Sequence, residues 1–448
     1  MNRFPNSEPG AALARPSSGA ATATPSSRTA RPVRVELENG LVVIFQENHA
    51  NPTVAIQGLV KAGAISDPPP KTGLSRFVSA MLDRGTTKRT TFQQAEALES
   101  LGASLHFDAG IETIAISANM LSEDTGTVLE VLADALRNPS FTPDQIEKAR
   151  DEMIVRVKVS NENTAYVAAK TANELLYPPD HPYHWPPIGT EPSLRAIARK
   201  DLEAFHASHY GPGTVVLVLV GDVDPEATLE PVKRAFSDWR KPDITPPFSV
   251  PRAAPVDGPK RLVVSMKGKS QVDVVCALPG IGRTDPEYYA AMLMNYVLGG
   301  GSLSSRLMDQ LRDKMGLVYG VYSNLNAGIG AGPIHVRAGT NPANAERTAD
   351  AMLSEIERMH EEGPTEVELE EAVSYLTGVF PVRLETNAGV ASQLLGAELY
   401  GLGMDYISRY PEIVRGVRVE DVRAASRKHL DLKAHVLAMA GSYPRGGA

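Results

Sequence analysis

The sequence predicts an α+β chain of two homologous domains, each a mainly antiparallel sheet covered by helices. Three observations carry this. Strand-like apolar runs give way repeatedly to paired segments with apolar residues at helical spacing. Six prolines fall within the twenty-four residues from Ser237 to Lys260, a density that no helix or strand survives. Landmarks of the first half also recur in the second at a nearly constant offset.

In chain order, VRVEL from Val33 and LVVIF from Leu41 flank Asn39-Gly40, as two strands flank a two-residue hairpin turn. A third strand, TVAIQGLVKAG, follows from Thr53. Amphipathic helices are expected around Gly73 to Leu82 and across Phe92 to Leu101, then strands ASLHFDA and TIAISANM. Longer helices are expected over Ser122 to Arg137 and Pro143 to Ser160. The helix opening at Asp201 runs into VVLVLV and ends at Gly221, and the segment from Asp421 runs into HVLAMA and ends at Gly441, both pairs 220 apart. TPDQIEKA from Thr142 matches TEVELEEA from Thr365 at an offset of 223. The resulting division is a flexible Ala/Pro/Ser-rich tail over 1–32, a first domain over 33–236, a linker over 237–260, a second domain over 261–443 and a tail over 444–448.

Composition narrows the function. With 448 residues, the chain is about three times the ~150 of a typical domain and can bury substantial cores. Its net charge of −8 and the absence of a Lys/Arg block argue against a nucleic-acid partner. The single Cys276 cannot form an intramolecular disulfide or a cysteine zinc site. The longest purely aliphatic run, Val215 to Val220, is far short of the roughly twenty residues that span a bilayer. Residues 1–32 hold no aliphatic signal core, so they read either as the spacer left by a removed export signal, which would be periplasmic, or as a cytoplasmic extension.

The stretch from Gly73 to Thr86, GLSRFVSAMLDRGT, resembles the signature helix of the pitrilysin-type zinc peptidases, the group of insulin-degrading enzyme and mitochondrial processing peptidase. Active members carry H-x-x-E-H there. Two histidines on one helical turn bind a zinc ion, and the glutamate is the base toward the metal-bound water. Here those positions read Arg76, Ser79 and Ala80. Arginine stays protonated without a free lone pair, serine is no carboxylate base, and alanine offers nothing. Glu152 and Glu162, candidates for a downstream ligand, therefore read as helix-surface acids. The resemblance extends from about Val33 to about Tyr443. It includes the loop HPYHWPPIGT from His181, similar to the family's HPxxxPxxGT, and PVRLETN from Pro381. It implies two α+β domains facing each other as half of a clamshell peptide chamber.

The second half retains more. Active members bring an Arg and a Tyr, seven residues apart, to the zinc site from across the chamber, and Arg312 and Tyr319 match that pair with an intervening Gly316. Gly316 is placed to end a helix and LVYGVYS to begin a strand, so the two tips can converge. A guanidinium and a phenol aimed at one point suit the oxygen of a tetrahedral intermediate; the plain alternative is a helix-terminal arginine and a packed tyrosine. Gly299, Gly300, Gly301 and Ser302 are either a substrate-contacting loop, as in the processing peptidase's non-catalytic subunit, or a helix cap and turn. No Gly-Lys-Ser/Thr follows, so they are not a nucleotide P-loop.

His181 and His184 sit in a proline-rich loop without a third ligand at motif spacing, and His206 and His209 read as structural. No G-x-S-x-G is present for a serine nucleophile. The reading is a zinc-less subunit of a heteromeric metallopeptidase, inactive alone and with no cofactor of its own. Its expected partners are peptides and a homologous subunit that holds zinc on an intact H-x-x-E-H. A non-enzymatic scaffold of the same fold and a solitary peptide-binding protein are the alternatives.

Overall fold

The computed structural model describes residues 31–242, 246–254 and 256–443. Of the two expected tails, 1–30 and 444–448 lie outside the described residues. Six strands make the first sheet: β1 (Val33–Glu36), β2 (Val42–Glu47), β3 (Thr53–Val60), β4 (Ser104–Ala109), β5 (Ile114–Leu121) and β6 (Val215–Gly221), in the order β1-β2-β6-β3-β5-β4. The second contains β7 (Lys260–Ser265), β8 (Val272–Pro279), β9 (Val318–Leu325), β10 (Pro333–Thr340) and β11 (Val436–Gly441), in the order β7-β11-β8-β10-β9. Without β1 the two orders correspond strand for strand. In each sheet one pair, β2 with β6 or β7 with β11, runs parallel, and the remaining pairs are antiparallel.

The first half carries α1 (Leu74–Met81), α2 (Thr91–Glu99), α3 (Thr125–Arg137), α4 (Pro143–Asn161), α5 (Thr164–Leu176), α6 (Glu191–Ala196), α7 (Arg199–His209) and α8 (Pro225–Phe236). The second carries α9 (Tyr288–Asn295), α10 (Ala345–Glu362), α11 (Glu366–Arg383), α12 (Asn387–Leu399), α13 (Tyr406–Arg415) and α14 (Val419–His429). Two π-helical segments stand where the sequence suggested ordinary helix ends: Tyr296–Gly300, which takes in the start of the glycine-rich run, and Met308–Lys314, before Gly316.

One face of each sheet packs on helices of its own half. Phe45, Ile56 and Leu217 meet Phe77, Val78 and Leu129 in the first, while Val274, Cys276 and Met439 meet Leu293, Met294 and Met352 in the second. The opposite faces are covered by exchange. Ala391 and Leu394 of α12 sit on Ile44, Val218 and Val220 of the first sheet, and Ala168 and Ala172 of α5 sit on Val275, Ala277 and Ala438 of the second. Burial on both faces explains why VVLVLV shows no polar alternation, and all seven residues of β6 are buried. Cys276 fills a core position, its thiol pushed up to about 12 by burial.

Both exchanged helices are tied at their ends. Asn387 Nδ2 donates to the Thr53 carbonyl at 3.2 Å and its Oδ1 accepts from Asn48 at 2.7 Å, which gives PVRLETN a tethering role. At the other end of α12, Arg34 grips Glu398 through Nε and Nη2 at 2.9–3.1 Å. Thr164 at the start of α5 donates to Asp273 at 2.6 Å, and Asn173 meets the half-buried His335, whose pKa desolvation depresses to about 4, at 2.9 Å.

Glu112 seals the seam between halves: its carboxylate accepts from the backbone N–H groups of Ile329 at 2.8 Å and Gly330 at 3.1 Å, and from the Tyr183 hydroxyl. Replacing Glu112 by Gln keeps the shape but turns an amide toward one of these donors. The expected cost is about 1–2 kcal/mol, read as a lower urea midpoint. An unchanged midpoint would show that the seam is held elsewhere.

Candidate functional site

The degenerate metal positions lie on α1. Asp67 starts this helix, accepting from the N–H groups of Gly73 and Ser75 at 2.7 Å each, while burial pushes its carboxyl up to about 7. Leu74, Phe77, Val78 and Met81 anchor the helix in the core. Arg76 turns toward the edge strand β4, where its Nη1 donates to Asp108 at 2.9 Å and its Nη2 to the Ala109 carbonyl. Ser79 is buried with its hydroxyl unpaired by protein, and Ala80 lends its carbonyl to Arg84 Nε at 3.0 Å. The residues therefore do not fit the zinc ion of the active peptidases. An ion-paired guanidinium takes the first ligand position and a methyl group the second, and among the described residues no cluster of three His, Cys, Asp or Glu side chains could hold a metal.

The acids and histidines considered from sequence have other partners. Glu152 pairs with Arg84 at 2.5 Å and Glu162 with Lys269 at 2.8 Å, both exposed. His181 is buried, donating from Nε2 to the Pro251 carbonyl at 3.0 Å while Nδ1 accepts from Tyr183 N at 3.1 Å; burial lowers its pKa. His184 Nδ1 meets the Tyr177 carbonyl at 2.8 Å. His206 Nε2 meets that of Leu136 at 2.8 Å and His209 Nδ1 that of Phe205 at 3.0 Å. With Tyr183 on Glu112, the HPYHW loop serves the domain seam.

On the second domain, the glycine-rich run and the Arg/Tyr pair gather at β9, the edge strand that corresponds to β4. The segment Met308–Lys314 carries Arg312, whose carbonyl accepts from Gly316 N at 3.0 Å. Gly316 takes a left-handed φ of 61°, reversing the chain into β9. The Arg312 guanidinium carbon then lies 5.9 Å from the Tyr319 ring centroid. Tyr319 is 92% exposed, so neither core packing nor strand pairing accounts for this side chain. Among the described residues, Arg312 has only the loosely placed Asp313, at 3.9 Å, as an acidic neighbour within 4 Å.

The glycine run divides. A Cβ on Gly299 would lie 2.6 Å from Ser323 N of β9, so this glycine serves close packing, whereas Gly300, Ser302 and Leu303 face solvent. The structure brings Gly300, Ser302, Arg312 and Tyr319 to one sheet edge, and holds Arg76, Ser79 and Ala80 at the equivalent edge of the other domain. Sequence reading passed over Arg306, which is buried and bound through Nε and Nη2 to both oxygens of Glu368 at 2.6 and 2.7 Å. The Thr365-x-x-Glu368 capping box was the signal available for Glu368.

Residues 42–177 match the model of insulinase, peptidase family M16, and residues 196–376 match that of the peptidase M16 inactive domain. The chain belongs to the M16 peptidase family. This M16 chain is 28% identical over 420 residues to an uncharacterized zinc protease of Mycobacterium tuberculosis, covering 92% of this chain and 93% of the relative. It is 25% identical over 402 residues to one of Streptomyces coelicolor, covering 88% and 86%. A crystal structure of a peptidase M16 inactive domain from Pseudomonas fluorescens superposes with a TM-score of 0.85 at 27% identity, over 92% of this chain and 98% of that one. A protease from Helicobacter pylori shares the fold, with a TM-score of 0.85 at 19% identity over 92% and 99%. No described helix is long and apolar enough to cross a membrane.

Proposed function

We propose that this chain is the zinc-less member of a two-chain M16 peptidase. It closes a peptide chamber opposite a sister subunit with an intact H-x-x-E-H and lends Arg312 and Tyr319 in trans. The observation that carries this reading is the asymmetry between two equivalent sheet edges. At one, every metal-motif position is replaced and Arg76 is committed to Asp108; at the other, Arg312 leans over a Tyr319 that is open to solvent. Zinc in the sister subunit supplies Lewis-acid chemistry. In this chain the guanidinium and phenol donate hydrogen bonds to the carbonyl oxygen as negative charge develops on it.

The test is purification from the native source and identification of what accompanies the chain. A zinc-bearing homologue is expected, joined through an interface of about 2,000 Å² or more. The chain alone should retain no stoichiometric zinc and cleave no peptide. Chain and homologue that sediment separately at micromolar concentration would overturn the proposal. So would about one zinc per isolated chain, lost on mutating His181 and His184. An exclusively non-catalytic partner set would favour a scaffold.

A further inference from the structure

Beside the exchanged helix α12 lies a cavity of about 220 Å³ whose lining is unlike the rest of the molecule. Two guanidiniums, Arg283 and Arg383, border it together with Tyr288, Tyr400, Tyr406 and Tyr410. Several other half-buried or buried arginines meet a carboxylate, as Arg76 meets Asp108, Arg306 meets Glu368 and Arg337 meets Asp273, while half-buried Arg423 donates to the Pro364 carbonyl at 3.2 Å. Among the described residues, the Arg283 guanidinium donates only to neutral phenols, through Nη2 to Tyr406 at 2.9 Å and to Tyr289 at 3.4 Å, with its guanidinium carbon 3.9 Å from the Tyr288 centroid. Among the described residues, no carboxylate pairs with Arg283 or Arg383. Among the described residues, neither Nε nor Nη1 of Arg283 makes a hydrogen bond. A cation held in a partly desolvated wall without a counter-charge is complementary to an anionic ligand.

The rest of the lining narrows that ligand. Met292, Phe380 and Leu402 add an apolar wall, and Ser392 and Gln393 of α12 add short polar groups. A fully hydrophilic anion such as phosphate would leave the apolar wall unused. The volume is below the ~300–1,000 Å³ of sites for drug-sized ligands, and suits a single residue. We infer that this cavity binds a free carboxylate carrying an apolar side chain, the chemistry of a peptide's C-terminal residue or an N-acylated amino acid. The guanidiniums hold the carboxylate and the aromatic faces hold the side chain. This binding belongs to the chain alone, whatever its part in peptide hydrolysis.

Calorimetric titration of the full chain with N-acetyl-phenylalanine at neutral pH tests this. Saturable binding is expected, with N-acetyl-phenylalaninamide, alike in shape but uncharged, at least roughly tenfold weaker. Inorganic phosphate at equal concentration should not displace the ligand. Arg383→Gln, at an exposed position, should weaken binding by roughly tenfold without changing the melting temperature. Gly396→Leu offers a second variant. Gly396 lines the cavity from α12, a Cβ there would meet no heavy atom within 4 Å, and leucine favours the helix, so the side chain should fill the pocket and abolish binding in a folded chain. Equal binding of acid and amide, displacement by equimolar phosphate, retained affinity in Gly396→Leu, or no saturable heat up to about 10 mM ligand would each overturn the assignment.

Discussion

In the proposed complex with a zinc-bearing sister chain, Tyr319→Phe is expected to lower kcat for peptide cleavage by roughly 10²- to 10³-fold while leaving subunit composition unchanged. The variant keeps the ring, and a ring that is 92% exposed contributes little to stability, so the fold has no cause to change. What disappears is one hydroxyl donor. Its value lies in being stronger toward a tetrahedral oxyanion than toward a planar carbonyl, so the loss falls on kcat more than on KM. Arg312→Lys should lose activity as well, because an ammonium cannot reproduce the planar fork that leans over Tyr319. Turnover that is unchanged in an intact complex would make both residues structural and put the scaffold reading first.

Glu368→Ala is expected to destabilise the chain by about 3 kcal/mol or more, the second-largest effect. Arg306 is buried; besides Glu368 it has Nη2 on the Gly363 carbonyl at 2.9 Å, an Nη1 without a partner among the described residues, and only the longer-range attraction of Glu355 and Glu362. Removing the carboxylate strands this charge and also deletes the capping box, in which Glu368 accepts from Thr365 N at 2.8 Å. Replacing both partners by apolar residues should cost less than the single change, because no unpaired ion is left. Urea unfolding with each variant measures this, and a loss below about 1 kcal/mol for Glu368→Ala would show the pair to be solvent-screened.

The same pair predicts a pH dependence. Burial alone would raise the Glu368 carboxyl, but Arg306 and the Thr365 N–H outweigh it and hold it at about 2. Between the ordinary carboxylate range and about 2 the unfolded chain binds more protons than the native one. Stability from this group is therefore complete above the unfolded pKa and is lost as pH falls through about 2. Glu368→Gln should flatten that limb.

Local patterns were legible in the sequence because their causes are local. The Gly316 reversal and the seven-residue spacing of Arg312 and Tyr319 depend on neighbours along the chain, and the structure places each accordingly; the Asn39-Gly40 hairpin also forms, but the register of Glu36 with Val42 gives it three loop residues, Glu38 to Gly40, rather than two, with Gly40 at a left-handed φ of 90°. The matching strand orders likewise follow a repeat visible as an offset. Helical periodicity, however, shows that α5 and α12 each have an apolar face without showing which sheet receives it. The unalternating run of β6 was the clue that a second cover exists. The Arg283 cavity left no local trace, since its walls come from two segments, 283–292 and 380–410, that are far apart along the chain. The π-helical turns were missed because their apolar residues are too few to establish a period.

The exchange of α5 and α12 also governs the order in which this chain can mature on the ribosome. When the first sheet has been synthesised through Gly221, the face bearing Ile44, Val218 and Val220 has no cover until Asn387–Leu399 emerges, over 160 residues later. In the same interval α5 has been made but the strands that receive it, β8 and β11, have not. Neither half can complete its packing as it leaves the tunnel, so the nascent chain carries exposed aliphatic surface through most of translation and closes both sheets only near the end.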